Sequence, residues 1–470
     1  MTTPTDPSGA SAGAHPSEVP LPFFQVFLDR TWAFVDRRIR TDKWALRPQP
    51  DFSFSPAYWT GGLVLAVFLL QVVSGLILIL YYVPSTSPAA AGGVYIAGAP
   101  MAWASTYYII HQVPLGSLIL TTHLYGAYAV LFLAFVHFFR GYYTGVYKRP
   151  REFTWMIGTM LLVGMLGMGF TGYLLPYTAL SVGATDVGLV LATSIPTMGP
   201  IIAPVILGNG TSQALLSRMF GLHVVVIPLM LAALLYAHLS LFEIHGIAPR
   251  ASSDPDAKRE LTEKDDHRMG PFFPNVFLYM TKWALLCGGA LLAIAAFFPW
   301  ALPTYYGSPQ SGGVSPEPDW YFLWLYKLLD FCQTTGTTCQ VISPLFGVAL
   351  VTGILIFILL LPWIDRHPLT SQRTHPRDRP ILLIVGNCLL SLFIVLTVWG
   401  GVLPGVEVPV AMYAAYLGAL LAVNVAVVVP LYLRYRRSYA RRMRAREGSG
   451  FEGVEPSEPA PAVPGGAVDG

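Results

Sequence analysis

The chain has 470 residues, of which 54% are hydrophobic and only 12% are charged, and its formal net charge is +3. Soluble domains are about 25% charged, and a water-soluble fold of this length could not bury so much apolar surface. The composition therefore excludes a soluble enzyme, a disordered scaffold and a nucleic-acid-binding protein. It predicts an all-α, polytopic membrane protein embedded in the lipid bilayer.

The N-terminal region divides into a tail and a basic segment. Residues 1–21 have no basic start followed by an apolar run, so a disordered tail is expected here rather than a signal peptide. Residues 22–57 combine apolar side chains at helical spacing with a group of arginines, which is typical of an amphipathic helix on a membrane surface followed by a linker. A soluble linker helix is the alternative.

Eight apolar stretches follow, and most of them reach the length of about 20 residues that crosses a bilayer as a helix. They are expected near 59–81, 115–140, 154–175, 221–242, 276–298, 345–363, 381–400 and 410–432. The predicted domains are a four-helix unit at 58–246, a polar cytoplasmic linker at 247–274, a C-terminal domain with helices five to eight at 275–433, and a basic, then disordered tail at 434–470.

The distribution of positive charge predicts the orientation of the spans. Of the 29 Lys and Arg residues, 26 lie in the N-terminal region, in the segments after the second, fourth and sixth spans, and in the C-terminal tail. Segments rich in Lys and Arg stay in the cytoplasm. Both termini are therefore predicted to be cytoplasmic, and segments 82–114, 176–220 and 299–344 are predicted to lie on the other side.

Four histidines lie inside the spans. His123 and His137 are fourteen residues apart on the second span, and His223 and His238 are fifteen apart on the fourth. At about 100° and 1.5 Å per residue, each pair lies on one helix face with an axial separation of about 21 Å. Because the two spans run in the same direction, His123 is level with His223, and His137 is level with His238.

Histidines inside a membrane are costly and usually functional. Four of them at two matched depths predict two stacked haems, each with its iron held by one imidazole from each helix. The alternative is a set of separate histidines that form hydrogen bonds within the bundle. Zinc fits less well, because it takes clustered ligands rather than two distant pairs.

Four glycines repeat the same interval. Gly61 and Gly75 are fourteen residues apart on the first span, as are Gly158 and Gly172 on the third. A macrocycle at two depths needs close backbone approach at this interval. Helix packing through small residues is the alternative explanation.

Two arginines stand near the histidines. Arg140 follows His137 by three residues, and Arg218 precedes His223 by five. Each is a candidate partner for a haem propionate at a membrane edge. Contacts with lipid headgroups would account for them equally well.

Five segments of the chain resemble cytochrome b of the quinol-oxidising cytochrome bc and bf complexes. They lie at 58–84, 122–155, 171–177 (TGYLLPY), 217–238 and 318–326 (PDWYFLWLY). The resemblance extends over about residues 24–405. The first four spans look like the photosynthetic type, in which a separate subunit supplies the rest, whereas here both parts form one chain. The eighth span resembles the respiratory type.

The resemblance implies a subunit of a bacterial quinol:cytochrome c oxidoreductase in the plasma membrane. Quinol would be oxidised on the outer side, between the PDWY run and the end of the third span. One electron would pass to a Rieske iron–sulfur protein and the other, through two non-covalent b-type haems, to a quinone on the inner side, with proton translocation. A c-type cytochrome and a second copy of the complex are the further implied partners.

The resemblance also suggests the residues of the quinol site. Asp319 is an acid at an apolar turn, where it could accept a quinol proton. The alternative role for Asp319 is to cap the short helix that follows it. Tyr173, Tyr321 and Tyr326 are candidate pocket walls that each carry a polar group.

Several positions depart from the family pattern. The family usually has PEWY, and the shorter acid of PDWY is compatible with menaquinol. Trp59 stands where the photosynthetic type attaches an extra haem through cysteine, so no covalent haem is expected. Leu120 replaces an expected arginine, and no residues of an inner quinone site can be matched. Cys332 and Cys339 could form a disulfide in an oxidising compartment or remain free thiols.

Three other functions compete with this interpretation. A di-haem membrane anchor of a hydrogenase or dehydrogenase would also pair histidines, but it would lack PDWY and the second half of the chain. A transporter should show repeats about a midplane site, and the two halves show none. A structural subunit without cofactors is the third alternative.

Overall fold

The structure is a computed structural model. It describes residues 27, 30–31, 33–34, 37–38, 48–193, 195, 199–206, 208, 213–248, 269–311, 317–329, 337–366, 375–403 and 410–448. Within these residues the fold is helical, apart from one antiparallel pair of short strands, Pro48–Pro50 with Met269–Pro271, and two isolated bridges. The predicted tails at 1–21 and 449–470, most of the polar linker, and Cys332 lie outside the described residues.

Eight helices among the described residues are long and apolar enough to cross a membrane, which confirms the predicted number. They are numbered as spans 1 to 8 in chain order: Thr60–Ile79, Gly116–Thr144, Glu152–Leu174, Gln213–His245, Phe277–Phe297, Gly347–Ile364, Pro380–Val402 and Ala411–Ser438. A helix satisfies its backbone hydrogen bonds internally, which lipid requires. Span 6 is the C-terminal part of the longer helix Thr337–Ile364. Span 8 lies within the helix Val410–Gly448, which continues beyond the span into the basic segment.

The first four spans form two packed pairs. Span 1 packs against span 2 and span 4 against span 3, while spans 2 and 3 also touch. A core of buried residues joins these four spans to Tyr321, which lies beyond span 5. Its other buried members are Val67, Val130, Leu131, Ala134, Met165, Leu231 and Leu291. Span 5 packs against spans 1 and 2, and the short helix Trp320–Leu329 packs against span 7.

The segments after spans 1, 3 and 5 meet at one end of the spans, here called the loop end. They contain the helices Met101–Gln112, Ala179–Thr193 and Gly199–Ile206, which the sequence did not predict. The indole of Trp103 donates a hydrogen bond of 2.7 Å to the Pro303 carbonyl. These three segments are the ones with few charges, so the structure gathers them on one side.

The opposite end, here called the basic end, is held by a buried ionic cluster. Asp365 at the end of span 6 accepts a hydrogen bond of 2.9 Å from Tyr147 and lies 3.2 Å from Lys148 and 3.4 Å from Arg379. These charged side chains are between 4% and 6% exposed. The cluster therefore connects the turn after span 2 to the turn between spans 6 and 7.

The basic segment before span 1 is described in part. Its seven described residues between 27 and 38 are helical and exposed, and its position on a membrane surface stays a prediction. The guanidinium of Arg38 lies 3.5 Å from the centre of the Phe34 ring.

Asp365→Asn should destabilise the protein strongly. The substitution keeps the shape of the side chain but leaves two buried cations without their carboxylate, which costs about 3–5 kcal/mol. Thermal unfolding of the purified protein in detergent would measure the loss.

Arg149→Gln is the matched control. Arg149 is 73% exposed and pairs with Glu152 at 3.4 Å, and such a surface pair contributes about 0–1 kcal/mol. Equal losses in the two variants would show that the Asp365 cluster does not stabilise the fold.

Candidate functional site

His123 and His223 face each other across spans 2 and 4. Their ring centres are 6.2 Å apart, and the ring planes are inclined at 77°. A metal ion bound between two imidazoles lies about 2 Å from each ring nitrogen. With the distance from each nitrogen to its ring centre added, the two ring centres would be about 6 Å apart. The two rings therefore leave room for one metal ion with a ligand on each side, and ligation of haem iron by this pair stays a prediction.

Each of the four histidine rings lies against a predicted glycine. A Cβ atom built on Gly172 would lie only 2.6 Å from Cε1 of His223, so no side chain fits there. The corresponding distances are 2.9 Å for Gly61 and His137, 3.0 Å for Gly158 and His238, and 3.2 Å for Gly75 and His123. The close neighbour of each glycine is thus an imidazole ring, and the glycines repeat because the histidines repeat.

A π-helical turn explains the unequal spacing of the two histidine pairs. Residues Leu222–Val226 form this turn inside span 4, and His223 lies in it. A π-helical turn accommodates one extra residue in a helix. His223 and His238, fifteen residues apart on span 4, are therefore placed relative to each other nearly as His123 and His137 are, which are fourteen residues apart on span 2.

The described residues contain no group of three or more His, Cys, Asp or Glu side chains that could hold a metal ion. The histidines form pairs, as two-ligand haem sites require. His137 and His238 lie within electrostatic range of each other at the basic end.

A second polar site surrounds Asp319 at the start of the helix Trp320–Leu329. Oδ1 of Asp319 accepts a hydrogen bond of 2.8 Å from Tyr128 on span 2, and Oδ2 accepts one of 3.1 Å from Tyr321. Tyr173 on span 3 donates to the backbone carbonyl of Glu317 at 2.9 Å. The structure therefore brings Asp319, Tyr173 and Tyr321 together and adds Tyr128, which the sequence analysis missed.

A glycine on span 3 makes room for this site. A Cβ atom on Gly169 would lie 2.8 Å from the ring of Tyr321, and Tyr321 is only 2% exposed. The tyrosine ring thus fills the space between spans 2 and 3 and anchors the Asp319 turn there. Tyr326 lies half-buried on the same helix.

Burial sets the electrostatics of this turn. Desolvation raises the pKa of Asp319 above its ordinary value, and the hydrogen bonds from Tyr128 and Tyr321 oppose that rise. Burial and the nearby Asp319 charge raise the pKa of Tyr321 well above its ordinary value. Tyr321 therefore stays protonated and continues to donate its hydrogen bond.

The two predicted arginines have different surroundings. The guanidinium of Arg140 stacks over the ring of Tyr58 at 4.3 Å, just before span 1. Arg218 is exposed and donates a hydrogen bond of 3.1 Å to the Pro204 carbonyl. A propionate contact stays a prediction for both residues.

An aromatic group at the basic end was not predicted from the sequence. The ring centres of Trp59 and Tyr279 are 6.0 Å apart, and those of Tyr279 and Trp283 are 6.3 Å apart. The indole nitrogens of Trp59 and Trp283 are buried without a hydrogen-bond partner among the described residues. These two donors lie at the start of span 1 and on span 5, on the side of the His137–His238 pair.

Comparisons with known proteins agree with this geometry. The family model described as Cytochrome b(N-terminal)/b6/petB matches residues 128–305, and the one described as Cytochrome b(C-terminal)/b6/petD matches residues 313–422. Cytochrome b of Sulfolobus acidocaldarius is 32% identical over 412 residues, covering 83% of this chain and 69% of that protein. The chain belongs to the cytochrome b family.

Two further similarities refine the picture of this cytochrome b. The menaquinol:cytochrome c reductase cytochrome b subunit of Geobacillus thermodenitrificans is 35% identical over 202 residues, covering 42% of this chain and 84% of that protein. A chain of the solved Hyperthermophilic respiratory Complex III has the same fold, with a TM-score of 0.66 and 23% identity, covering 86% of this chain and 97% of that chain.

Membership of the family has direct consequences. This multi-pass membrane protein is a cytochrome b subunit of a bc-type oxidoreductase complex and takes part in electron transport. The family implies b-type haem and an interaction with quinone. Both family models match within one chain, which confirms the predicted fusion of the N-terminal and C-terminal parts.

Replacing one histidine of a pair should remove one haem. We expect His223→Ala to lose the haem that His123 and His223 would hold, and His238→Ala to lose the other, because each site would keep a single histidine. Haem extracted per chain and the reduced visible spectrum would measure both losses.

His245→Ala is the matched control, since His245 ends span 4 outside both pairs. We expect this variant to keep both haems. Full haem content in the His223→Ala and His238→Ala variants would show that these histidines are not ligands.

Proposed function

We propose that the chain oxidises quinol at the Asp319 site in a quinol:cytochrome c oxidoreductase. One electron goes to a Rieske iron–sulfur protein, and the second crosses the membrane to a quinone at the basic end. The chemistry that two bound b-type haems supply is this second transfer, one electron at a time. Proton release at the loop end and uptake at the basic end couple the reaction to proton translocation.

The observation that carries the proposal is the facing pair His123 and His223, with a glycine against each ring. Rings whose centres are 6.2 Å apart would hold one iron between their two imidazoles. The same arrangement of imidazole against glycine recurs about 21 Å along the helices at His137 and His238. Two such sites in line provide a path for electrons through the membrane core.

The orientation follows from the basic end. The ionic cluster around Asp365 and most described arginines lie there, and positively charged segments stay in the cytoplasm. We therefore propose that both termini are cytoplasmic and that the loop end faces the outer side of a bacterial plasma membrane. The Rieske protein and a c-type cytochrome would then approach the loop end, within a complex proposed to be a homodimer.

Asp319 is suited to accept one of the two quinol protons. Each of its oxygens already accepts one tyrosine hydrogen bond and keeps a second lone pair for an incoming donor. Its raised pKa lies closer to the operating pH than that of an ordinary aspartate, which favours proton transfer. The burial of the site keeps bulk water away from the quinol.

Menaquinol is the quinol proposed, because one relative is named as a menaquinol:cytochrome c reductase subunit. At the basic end, the indole N–H groups of Trp59 and Trp283 have no acceptor in the part of the chain that the structure describes, and each could donate to a quinone carbonyl. They are proposed as part of the quinone-reducing site.

Asp319→Asn should slow quinol oxidation by about 100-fold, the usual contribution of a positioned general base. Asparagine keeps the size of the side chain and cannot take up the proton. Quinol-driven haem reduction in a rapid-mixing experiment would measure the rate, and haem content should stay complete.

Glu317→Gln, which changes a neighbouring acid in the same turn, is its control and should oxidise quinol at nearly the normal rate. If Asp319→Asn oxidised quinol as fast as this control, Asp319 would have no role as proton acceptor.

Tyr128→Phe should move the acid limb of the pH–rate profile to higher pH. Asp319 must be ionised to accept a proton, and the Tyr128 hydrogen bond lowers its pKa. Losing this charge-assisted hydrogen bond removes a cause that lowers the pKa of Asp319, so that pKa rises. Quinol oxidation rates measured across the acid range would show the shift.

Tyr125→Phe is the matched control on the same span, since its hydroxyl bonds to the Phe298 carbonyl at 2.8 Å. We expect its profile to be that of the unmodified protein. Coincident profiles for all three proteins would rule out control of Asp319 by Tyr128.

A further inference from the structure

The residue before each of the four ring-contacting glycines occupies an equivalent position. It is Thr60 and Ser74 on span 1, and Ile157 and Thr171 on span 3. On each span the two positions are fourteen residues apart, like the glycines beside them. Three of the four carry a hydroxyl group, and only Ile157 does not.

The hydroxyl of Ser74 fixes the protonation of the His123 ring. Ser74 Oγ lies 2.9 Å from Nδ1 of His123 and donates its own hydrogen to the Leu70 carbonyl at 2.7 Å. A hydroxyl has one hydrogen to give, so its oxygen must accept from Nδ1–H. The lone pair of Nε2 is then free to bind a metal.

Thr171 acts in the same way on His223. Its hydroxyl lies 3.2 Å from Nδ1 of His223 and donates to the Gly167 carbonyl at 2.9 Å. The Met168 carbonyl also lies 3.1 Å from Nδ1. A carbonyl can only accept a hydrogen bond, so Nδ1 of His223 carries a hydrogen. Both His123 and His223 therefore donate a hydrogen bond from Nδ1–H.

The pair at the basic end is unequal. Nδ1 of His137 lies 3.0 Å from the hydroxyl of Thr60. Nδ1 of His238 is buried and has no hydrogen-bond partner among the described residues. The backbone of Thr154 acts electrostatically on the His238 ring, and Ile157 offers no hydroxyl at the sequence position where Thr60 offers one to His137.

We propose that Ile157 sets the potential difference between the two haem sites by withholding a hydrogen bond from His238. Hydrogen bonding at Nδ1 makes a metal-bound imidazole a stronger donor and tunes the reduction potential. A stronger imidazole donor would stabilise oxidised iron and lower the potential. A haem held by His123 and His223 would therefore have the lower potential of the two. This inference rests on the proposed haem ligation.

The test adds the missing hydroxyl and removes an existing one. In Ile157→Thr the potential of the haem at His137 and His238 should become more negative. In Thr171→Val, which keeps the side-chain shape, the potential of the haem at His123 and His223 should become more positive. Redox titration of the two reduced haem bands in the purified complex measures both potentials without turnover.

Thr159→Val is the control for a polar-to-apolar change on the same span. Its buried hydroxyl donates to the Trp155 carbonyl at 3.0 Å rather than contacting a histidine. Both potentials should be unchanged in this variant.

The outcomes separate the inference from the proposed function. Two bound haems with potentials that do not move in Ile157→Thr and Thr171→Val would overturn the inference and leave the ligation intact. A complex without haem would overturn the proposed function itself. Should Ile157→Thr fail to fold, Ile157→Ser carries the same test, because its smaller side chain also offers a hydroxyl to His238.

Discussion

The contact between an imidazole ring and the bare backbone of a neighbouring helix is the constraint on which the first four spans depend. Each of the four histidines places its ring against a glycine, where an added carbon would collide at Gly61 and Gly172 and would be tightly crowded at Gly75 and Gly158. Spans 1 and 2, and likewise spans 3 and 4, can approach this closely only because both glycines on the facing span lie in register with both histidines. The same close approach leaves His123 and His223 facing each other across spans 2 and 4.

Buried charge is handled differently at the two ends of the molecule. At the basic end, Asp365 is matched by two cations and ties the two halves of the chain together. At the loop end, Asp319 is held by two neutral tyrosine hydroxyls. Burial raises the pKa of Asp319, and its two tyrosine hydrogen bonds only oppose that rise, so Asp319 can take up a proton. The Asp365 cluster therefore stabilises the fold, whereas the Asp319 turn is suited to proton transfer.

The spans and the histidine pairs could be predicted from the sequence because both depend on local regularities. Apolar length predicts a membrane helix, and the helical period shows which side chains share a face. The π-helical turn at Leu222–Val226 has no such local signal. Tyr128 was also missed, because a tyrosine on an apolar span is ordinary until Asp319, almost two hundred residues later, is folded against it.

The sequence by itself determined the number of spans, the matched depths of the histidines and the segregation of positive charge, since each follows from composition and helical period along one stretch of chain. Only the tertiary structure decided which groups complete each site. It placed Ser74 and Thr171 against two histidines and left His238 without a hydroxyl. It also brought Tyr128 to Asp319, because contacts between distant spans depend on how whole helices pack rather than on any pattern within one of them.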